Sequence, residues 1–424
     1  MRAGPGARSS RPAGPGLNQS SRLQHAGWIE WLVMKTDRRQ FLRMAAAGAA
    51  ASYGRVLGAN DRVRIGAIGT GGRCQYLLSV LNKIGGNEIT AVCDVYEPNL
   101  LEARQQSAPQ AREFADYRRL LELDDIDAVV IGTPDHWHVP ITVEAVRAGK
   151  DVYVEKPVTH RLEEGEVLQN AVTETKRVVQ CGMQQRSWPH FAEAGEVIRA
   201  GELGQVTFVR TYWYQNHIPH GEPKVDASKL DWKMWLGSAP AQPFDAERFA
   251  EWRWFWDFGG GALTDLFCHW VDVVQWIMAS DTPSYVTGTG ANYATPRREC
   301  PDTMSAAFEY PGRFLVQFDS SLIGYLEGGG LFFRGTKGAL RLHRGGYTLY
   351  PEVPRYTELP DLNDVAKTAK STEDGAVFHL RNFLDCVRSR KEPNAPVATG
   401  IAAARAGHLG NLAIRGRKPV TWPV

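Results

Sequence analysis

The stretch Val63-Arg64-Ile65-Gly66-Ala67-Ile68-Gly69-Thr70-Gly71-Gly72-Arg73-Cys74 decides the fold. Its first six residues read as a short buried strand and its next six as a glycine-rich turn. Beyond it, Leu77, Leu78, Val80 and Leu81 fall on one face of a helix. A strand feeding a glycine turn and then a helix is the setting a dinucleotide fingerprint requires, because free N–H groups at the helix start hold a pyrophosphate. Gly69, Thr70, Gly71, Gly72 and Arg73 are therefore candidate nucleotide contacts. The last position of the G-x-G-x-x-G pattern is Cys74, whose side chain is small enough for helix and sheet to approach closely.

Working outward, a second strand, Glu88 to Cys93, ends at Asp94, 23 residues beyond Gly71. An acid there accepts both ribose hydroxyls of the adenosine half and repels a 2′-phosphate, which favours NAD over NADP. The plainer alternative is that Asp94 caps the following turn. A segment around Phe114, Asp116 and Tyr117 leads into a helix over 118–123, and Ala128 to Ile131 forms a fourth strand. That strand runs into Gly132-Thr133-Pro134-Asp135-His136-Trp137-His138, a helix follows over 139–148, and a fifth strand, Val152 to Val154, ends at Glu155-Lys156-Pro157. Repeated strand then helix predicts a parallel sheet covered on both faces, with ligands at the carboxyl ends of its strands. Thr133, Pro134, His138, Glu155 and Lys156 occupy those ends and join the nucleotide-side candidates. His136 and His138 have a spacing that can serve a metal, but no third ligand is obvious nearby, so no metal is assigned. The loop is read either as packing over a nicotinamide and the substrate entrance or as purely structural.

The first 59 residues read differently. Met1 to Gln24 is rich in Pro, Gly, Ser and Arg without periodicity, whereas Met34 opens a better start, followed by Arg38-Arg39 and a weakly apolar run from Met44 to Ala51. A basic pair ahead of such a run predicts a twin-arginine export signal and a periplasmic address, with cleavage after Ala59 or retention as an anchor. The run is too short to span a bilayer, which takes roughly 20 residues. Residues 1–59 carry nine Arg or Lys and two acids, so without them the formal charge moves from +2 to −5. The remaining body gives no electrostatic reason to expect nucleic acid or an anionic membrane. The 424 residues are 43% hydrophobic, which suits two domains better than one. Six scattered cysteines read mostly as buried thiols. The domains are placed at 60–180, 181–398 and a C-terminal helix and tail over 399–424.

In the second half, Gln184-Gln185-Arg186 follows a strand, and Gln184 and Arg186 are candidates to reach a polar cleft. Phe191 to Ala200 reads as an amphipathic helix and Val206 to Tyr214 as a half-buried strand. Trp232, Trp235, Trp252, Trp254 and Trp256 crowd a segment with Pro and Gly turns, where one or two can line a carbohydrate site and the others cover a sheet edge. Gly259-Gly260-Gly261 precedes Asp265 and His269, which a helix would place on one face together with Asp272. Glycines there would let backbone approach a nicotinamide. Pro354 to Thr372 is polar and read as a loop, and Gly328-Gly329-Gly330 and Gly345-Gly346 as turns.

The conjunction of the glycine loop, Asp94, the Thr133 to His138 strand end, Glu155-Lys156-Pro157 and Gly-Gly-Gly followed by Asp-x-x-x-His resembles the Gfo/Idh/MocA oxidoreductases from about Arg62 to the C terminus. The resemblance implies an α/β chain: an N-terminal Rossmann dinucleotide-binding domain, then an α+β domain with an open, largely antiparallel mixed sheet that commonly makes dimer or tetramer contacts. It also implies that Lys156 lies beside the nicotinamide and works with Asp265 and His269. Oxidising a secondary alcohol of a sugar or polyol needs a hydride acceptor and a proton acceptor. His269, titrating near neutral pH, is the expected acid/base. Lys156 either holds the substrate oxygen as an ammonium or, desolvated, acts as the base. Asp265 would orient His269 or bind another substrate hydroxyl. An NAD-dependent glycoside hydrolase working by transient C3 oxidation and elimination fits the same residues, and a non-catalytic carbohydrate-binding or structural protein is the remaining alternative, against which intact Lys156, Asp265 and His269 argue.

Overall fold

The computed structural model describes residues 62–423 except 313, 353–364 and 372. The export-signal expectation for residues 1–59 and much of the polar 354–372 segment lie outside the described residues.

β1 (Val63–Ile68), β2 (Asn87–Cys93), β3 (Arg112–Phe114), β4 (Ala128–Ile131), β5 (Asp151–Val154) and β6 (Val179–Cys181) form a sheet ordered β3-β2-β1-β4-β5-β6. Every neighbouring pair in it is parallel. The order reverses between β1 and β4, and such a reversal opens a crevice at the strands' carboxyl ends. β4 and β5 are buried along their whole length, as strands covered on both faces must be. Cys74 causes no conflict in the fingerprint because the close approach is supplied from the other side. A Cβ on Gly132 would lie 2.8 Å from the Cys74 Cβ, so the glycine at the end of β4 makes the room.

The second sheet contains β7 (Val206–Tyr214), β8 (Tyr285–Ala291), β9 (Thr303–Tyr310), β10 (Phe314–Ser321), β11 (Gly329–Gly335), β12 (Gly338–His343), β13 (Gly346–Pro351), β14 (Lys367–Lys370) and β15 (Val420–Thr421). Its order is β14-β13-β12-β11-β7-β10-β9-β8-β15, and β7 with β10 is the parallel pair in an otherwise antiparallel ladder. Along β10 the buried Phe314, Val316, Phe318 and Ser320 alternate with partly exposed residues, the period of a sheet with one covered face. On the covered side Phe267 stacks against Phe308 and packs on Phe318, with ring centroids 4.7 and 4.9 Å away.

Three sequence expectations change. Gly329 and Gly330 lie within β11 and Gly346 opens β13, while Lys367–Lys370 is a strand inside the segment read as a loop. Helix Gly375–Ser389, which falls within 181–398, packs into the core of the nucleotide half. Its Val377, Leu380, Phe383 and Leu384 share one core with Val63, Ile65, Leu77 and Leu81. Arg390, just after it, holds Asp151 of β5 with Nη2 to Oδ1 at 2.9 Å. Helix Val397–Gly416 packs on helix Cys268–Met278 and on β8, and β15 then extends the second sheet. All six cysteines are buried free thiols.

Candidate active site

The glycine turn and the end of β2 frame a groove of about 320 Å³. Gly69 has φ +73°, and a Cβ there would stand 2.4 Å from Thr133 Cγ2, so that position admits no side chain. A Cβ on Gly72 would meet nothing within 4 Å, because Gly72 faces the groove. Asp94 Oδ2 accepts the Thr70 N–H at 2.6 Å and Oδ1 the Tyr96 N–H at 2.8 Å, so the carboxylate organises the turn as well as the following segment. Burial pushes its pKa up to about 6 against these hydrogen bonds. The turn-capping role expected of Asp94 is thus filled, with Oδ2 also 3.3 Å from the Thr70 hydroxyl, and Oδ1 keeps a further lone pair. The glycine cradle, the helix start and this acid fit an adenine dinucleotide.

The second domain roofs the groove. Met234, Trp235, Phe249, Trp252 and Arg253 form its far wall. The segment is clamped down where the Trp235 carbonyl accepts the Trp137 indole N–H at 2.9 Å and lies 3.0 Å from His136 Nε2. The tryptophan cluster signalled a ligand wall in the sequence, but nothing there showed that it would cover the nucleotide side too.

A second cavity, of about 490 Å³, shares Arg73, Gly132, Thr133, Trp252 and Arg253 with the groove, so the two are joined. Lys156, Asp265 and His269 converge on it. Lys156 Nζ donates to Asp265 Oδ1 at 2.5 Å and to the Asp265 carbonyl at 2.8 Å. Arg253 Nε lies 3.3 Å from the same Oδ1. Burial would raise the Asp265 pKa, but these two cations bring it down to about 2. His269 is buried, its ring stacked on Trp213 with centroids 5.9 Å apart and planes 21° off parallel. Burial first, then the charges of Lys156, Arg344 and Arg73, hold its pKa well below 6.5. It is therefore a neutral imidazole at neutral pH, and the expectation that it titrates near neutrality is corrected.

Asp265 does not touch His269 either. Its carboxylate is spent on Lys156 and Arg253, and the His269 Nδ1 is without a hydrogen-bond partner among the described residues. The reason is local: Leu263–Phe267 is a π-helical turn leading into helix Cys268–Met278, and its wider winding breaks the simple i, i+4 stacking. Gly259, Gly260 and Gly261 do not face the groove, since a Cβ on them would strike Arg253 backbone, Thr264 and Cys300. They permit close packing, not approach to a nicotinamide.

Other candidates divide. Glu155 accepts Arg73 Nε at 2.7 Å, which with Lys156 lowers its pKa despite burial. Thr133 and Pro134 line the groove. Both ring nitrogens of His138 are engaged, Nδ1 2.7 Å from the Pro157 carbonyl and Nε2 2.9 Å from that of Thr133, so it ties two strand ends together. Gln184 lines the cleft. Arg186 does not: its Nε lies 2.8 Å from Asp272 Oδ1 in a buried pair, which removes both Arg186 and Asp272 from the expected constellation. Sequence reasoning missed Gln215, His217, Arg253 and Arg344, all of which line the cleft. Arg253, set between Trp252 and Trp254, carried the only sequence signal among them.

Residues 63–183 match the model for an oxidoreductase family with an NAD-binding Rossmann fold, and residues 191–341 match the GFO/IDH/MocA C-terminal domain. The chain belongs to the Gfo/Idh/MocA oxidoreductase family. Among relatives, a glycosyl hydrolase family 109 protein of Solibacter usitatus (strain Ellin6076) is 33% identical over 41% of this chain and 44% of its own length. The scyllo-inositol 2-dehydrogenase (NAD(+)) of Bacillus subtilis (strain 168) is 26% identical over 66% of this chain and 72% of its own length. The first similarity thus spans less than half of that relative. Among solved structures, the WlbA dehydrogenase from Bordetella pertussis, in complex with NADH and UDP-GlcNAcA, superposes with a TM-score of 0.66 at 21% identity, covering 86% of this chain and 99% of that one. A levoglucosan dehydrogenase, complexed with NADH and levoglucosan, gives 0.67 at 16% identity over 86% and 100%. At these identities the structural likeness speaks for the two-domain fold.

Proposed function

We propose that this family member is an NAD(H)-dependent oxidoreductase that moves a hydride to or from a secondary alcohol of a sugar, glycoside or polyol. The observation carrying the reading is that Lys156 Nζ, held 2.5 Å from Asp265 Oδ1, opens with His269 on a cleft continuous with a nucleotide groove. The relatives named as inositol dehydrogenases support the substrate class.

NAD, when bound, supplies the hydride acceptor or donor. The turn Gly69–Gly72 would hold its pyrophosphate and Asp94 its adenosine ribose. Lys156 donates a hydrogen bond to the substrate oxygen and stabilises negative charge as it builds there, its ammonium kept in place by Asp265. His269 is uncharged and accepts the hydroxyl proton, handing it on to solvent through the cleft. Gln184, Gln215 and His217 offer hydrogen bonds to neighbouring hydroxyls, and Trp252 and Trp254 add aromatic lining to the same cleft. Mass spectrometry of the nucleotide released from purified protein tests the cofactor. Absorbance of reduced nicotinamide as sugars and polyols are added tests the chemistry. Protein that carries no nucleotide and ignores the whole panel would instead favour the carbohydrate-binding alternative.

A redox-neutral glycoside hydrolase is the second reading, favoured by His217, a second imidazole in the same cleft. It lies against Trp254 with centroids 5.3 Å apart, and its burial lowers its pKa, leaving it free to take a C2 proton after transient oxidation at C3. Cleavage of an aryl glycoside with C2 proton exchange and no accumulation of NADH is its signature.

The proposal includes export by the twin-arginine route, supported by Arg38-Arg39 ahead of the Met44 to Ala51 run. Fusing residues 34–59 to a reporter active only after folded export tests it. It also includes a homo-dimer or homo-tetramer, supported by the second sheet's partly exposed face, and light scattering measures that state.

A further inference from the structure

Arg344 lines the substrate cleft but not the nucleotide groove. It sits at the turn between β12 and β13, a turn pinned where the Gly345 N–H donates to His343 Nδ1 at 3.0 Å and the His343 carbonyl lies 3.0 Å from His190 Nε2. Its guanidinium lies 5.0 Å from the Trp213 ring centre, over the indole that stacks on His269. No hydrogen bond or salt bridge joins that guanidinium to any described residue, and its Nε is buried without a partner. Arg73 stands close enough to weigh electrostatically against it, and burial and Arg73 lower the Arg344 pKa, while Asp374, which lines a neighbouring pocket with both arginines, and Asp265 pull it up only in part. Among the described residues Arg73 gives Nε to Glu155, and its buried Nη2 has no partner there.

Two neighbouring guanidinium groups with unused donors, one of them without a hydrogen bond or salt bridge to any described residue, are unfavourable in a partly buried wall. Stacking on an indole compensates only part of that cost. The other charged groups of the cleft are already matched: Lys156 and Arg253 to Asp265, Glu155 to Arg73, and Glu251 to Arg298. Arg344 is the cation left over among the described residues lining the cleft.

We propose that Arg344, with Arg73 beside it, forms an anion subsite, and that the sugar processed at Lys156 and His269 carries an oxyanion group. The steps of 5.0 Å from guanidinium to indole and 5.9 Å from indole to imidazole limit the separation of the two ends. One sugar unit with a hydrogen bond at each end covers that distance. A guanidinium fork suits carboxylate and phosphate alike, so uronic or aldonic acids and sugar phosphates share the required chemistry. The inference rests on the substrate class proposed above.

The test is equilibrium binding to the NAD-loaded protein, read by tryptophan fluorescence and calorimetry, with reduced-nicotinamide absorbance recorded in parallel. Glucuronate, galacturonate, gluconate and glucose 6-phosphate are compared with glucose and galactose, using wild type, R344Q and R344K. At least one acidic sugar should bind about tenfold or more tighter than its neutral counterpart. R344Q should erase that preference and R344K should restore part of it, with nucleotide content and thermal unfolding showing that both variants are folded. The winning arm separates carboxylate from phosphate. Equal or undetectable binding of acidic and neutral sugars, or a preference untouched in R344Q, overturns the subsite. If acidic sugars bind through Arg344 but never reduce the cofactor, the subsite stands and the hydride-transfer reading falls.

Discussion

Lys156 and Asp265, 109 residues apart in the chain, meet at 2.5 Å, and the imidazole four residues beyond Asp265 takes no part in the contact. The ammonium is thus positioned by a carboxylate that Arg253 also helps to hold down, while the neighbouring base stays uncharged. Removing the ammonium leaves buried Asp265 with Arg253 alone, so it should slow the reaction and also lower Tm. Lys156→Ala should lower kcat/KM by about 10²–10³-fold, while the nucleotide released from the purified variant stays at the wild-type amount. Loss of nucleotide together with activity would instead make Lys156 a cofactor-binding residue.

The same charges act on His269. With its pKa held well below 6.5, the base form persists as the solution is acidified, and oxidation fails only when pH falls beneath the depressed value. The acid limb of the kcat/KM profile should lie below pH 6.5. An inflection at or above that pH would identify a different base.

Stability should show a matching pH dependence. Burial lowers the pKa of His136 to about 3 and those of His160, His379 and His408 to about 4. Below 6.5 the unfolded chain takes up protons that the folded chain refuses, so stability rises with pH and is lost on acidification from 6.5 toward 4. Each group contributes about 1.4 kcal/mol per pH unit in that window. Asp94, with its pKa raised to about 6, and Asp135, Glu164 and Asp272, also raised by burial, work the other way but are outnumbered by the buried histidines with lowered pKa values. Tm measured from pH 7 to 5 should fall, and a flat profile would contradict the burial of these rings.

Gly69 and Gly72 should separate stability from binding. Gly69→Ala puts a Cβ 2.4 Å from Thr133 in left-handed backbone and should lower Tm, costing about 1–2 kcal/mol from the backbone alone before the clash. Gly72→Ala meets no protein atom within 4 Å and should leave Tm alone while weakening nucleotide retention. Differential scanning fluorimetry and nucleotide content report the two effects independently.

Arg186→Met strips the partner from Asp272, whose carboxyl is already pushed up by burial. Breaking such a pair costs about 3–5 kcal/mol. The variant should show a lower Tm and an unchanged KM in the fraction that remains folded. A raised KM with an unchanged Tm would return Arg186 to the substrate cleft.

The nucleotide half was legible because its determinants are local. Alternating buried runs and glycine turns specify strand and helix within a few residues, and the strand ends at Gly69, Asp94, Thr133 and Lys156 then follow from parallel topology. The candidate residues Asp265 and His269 were nameable because motif spacing keeps them together, and the resemblance added Lys156. Other features depended on side-chain direction, which spacing does not encode. A π turn at Leu263–Phe267 sends Asp265 to Lys156 instead of His269, and Arg186 turns to Asp272. Helix Gly375–Ser389 returns to the nucleotide core because its apolar face finds Val63, Ile65 and Leu77 there.

By itself the sequence determined the order of elements in the nucleotide half and the glycine turn after β1, which arise from interactions between near neighbours in the chain. Only the tertiary structure decided which charge neutralises which, what roofs the groove and which arginine is left unpaired. Those outcomes are set by burial and by contacts between distant segments, and a side chain's charge state and partner exist only once the folded surroundings have removed water from it.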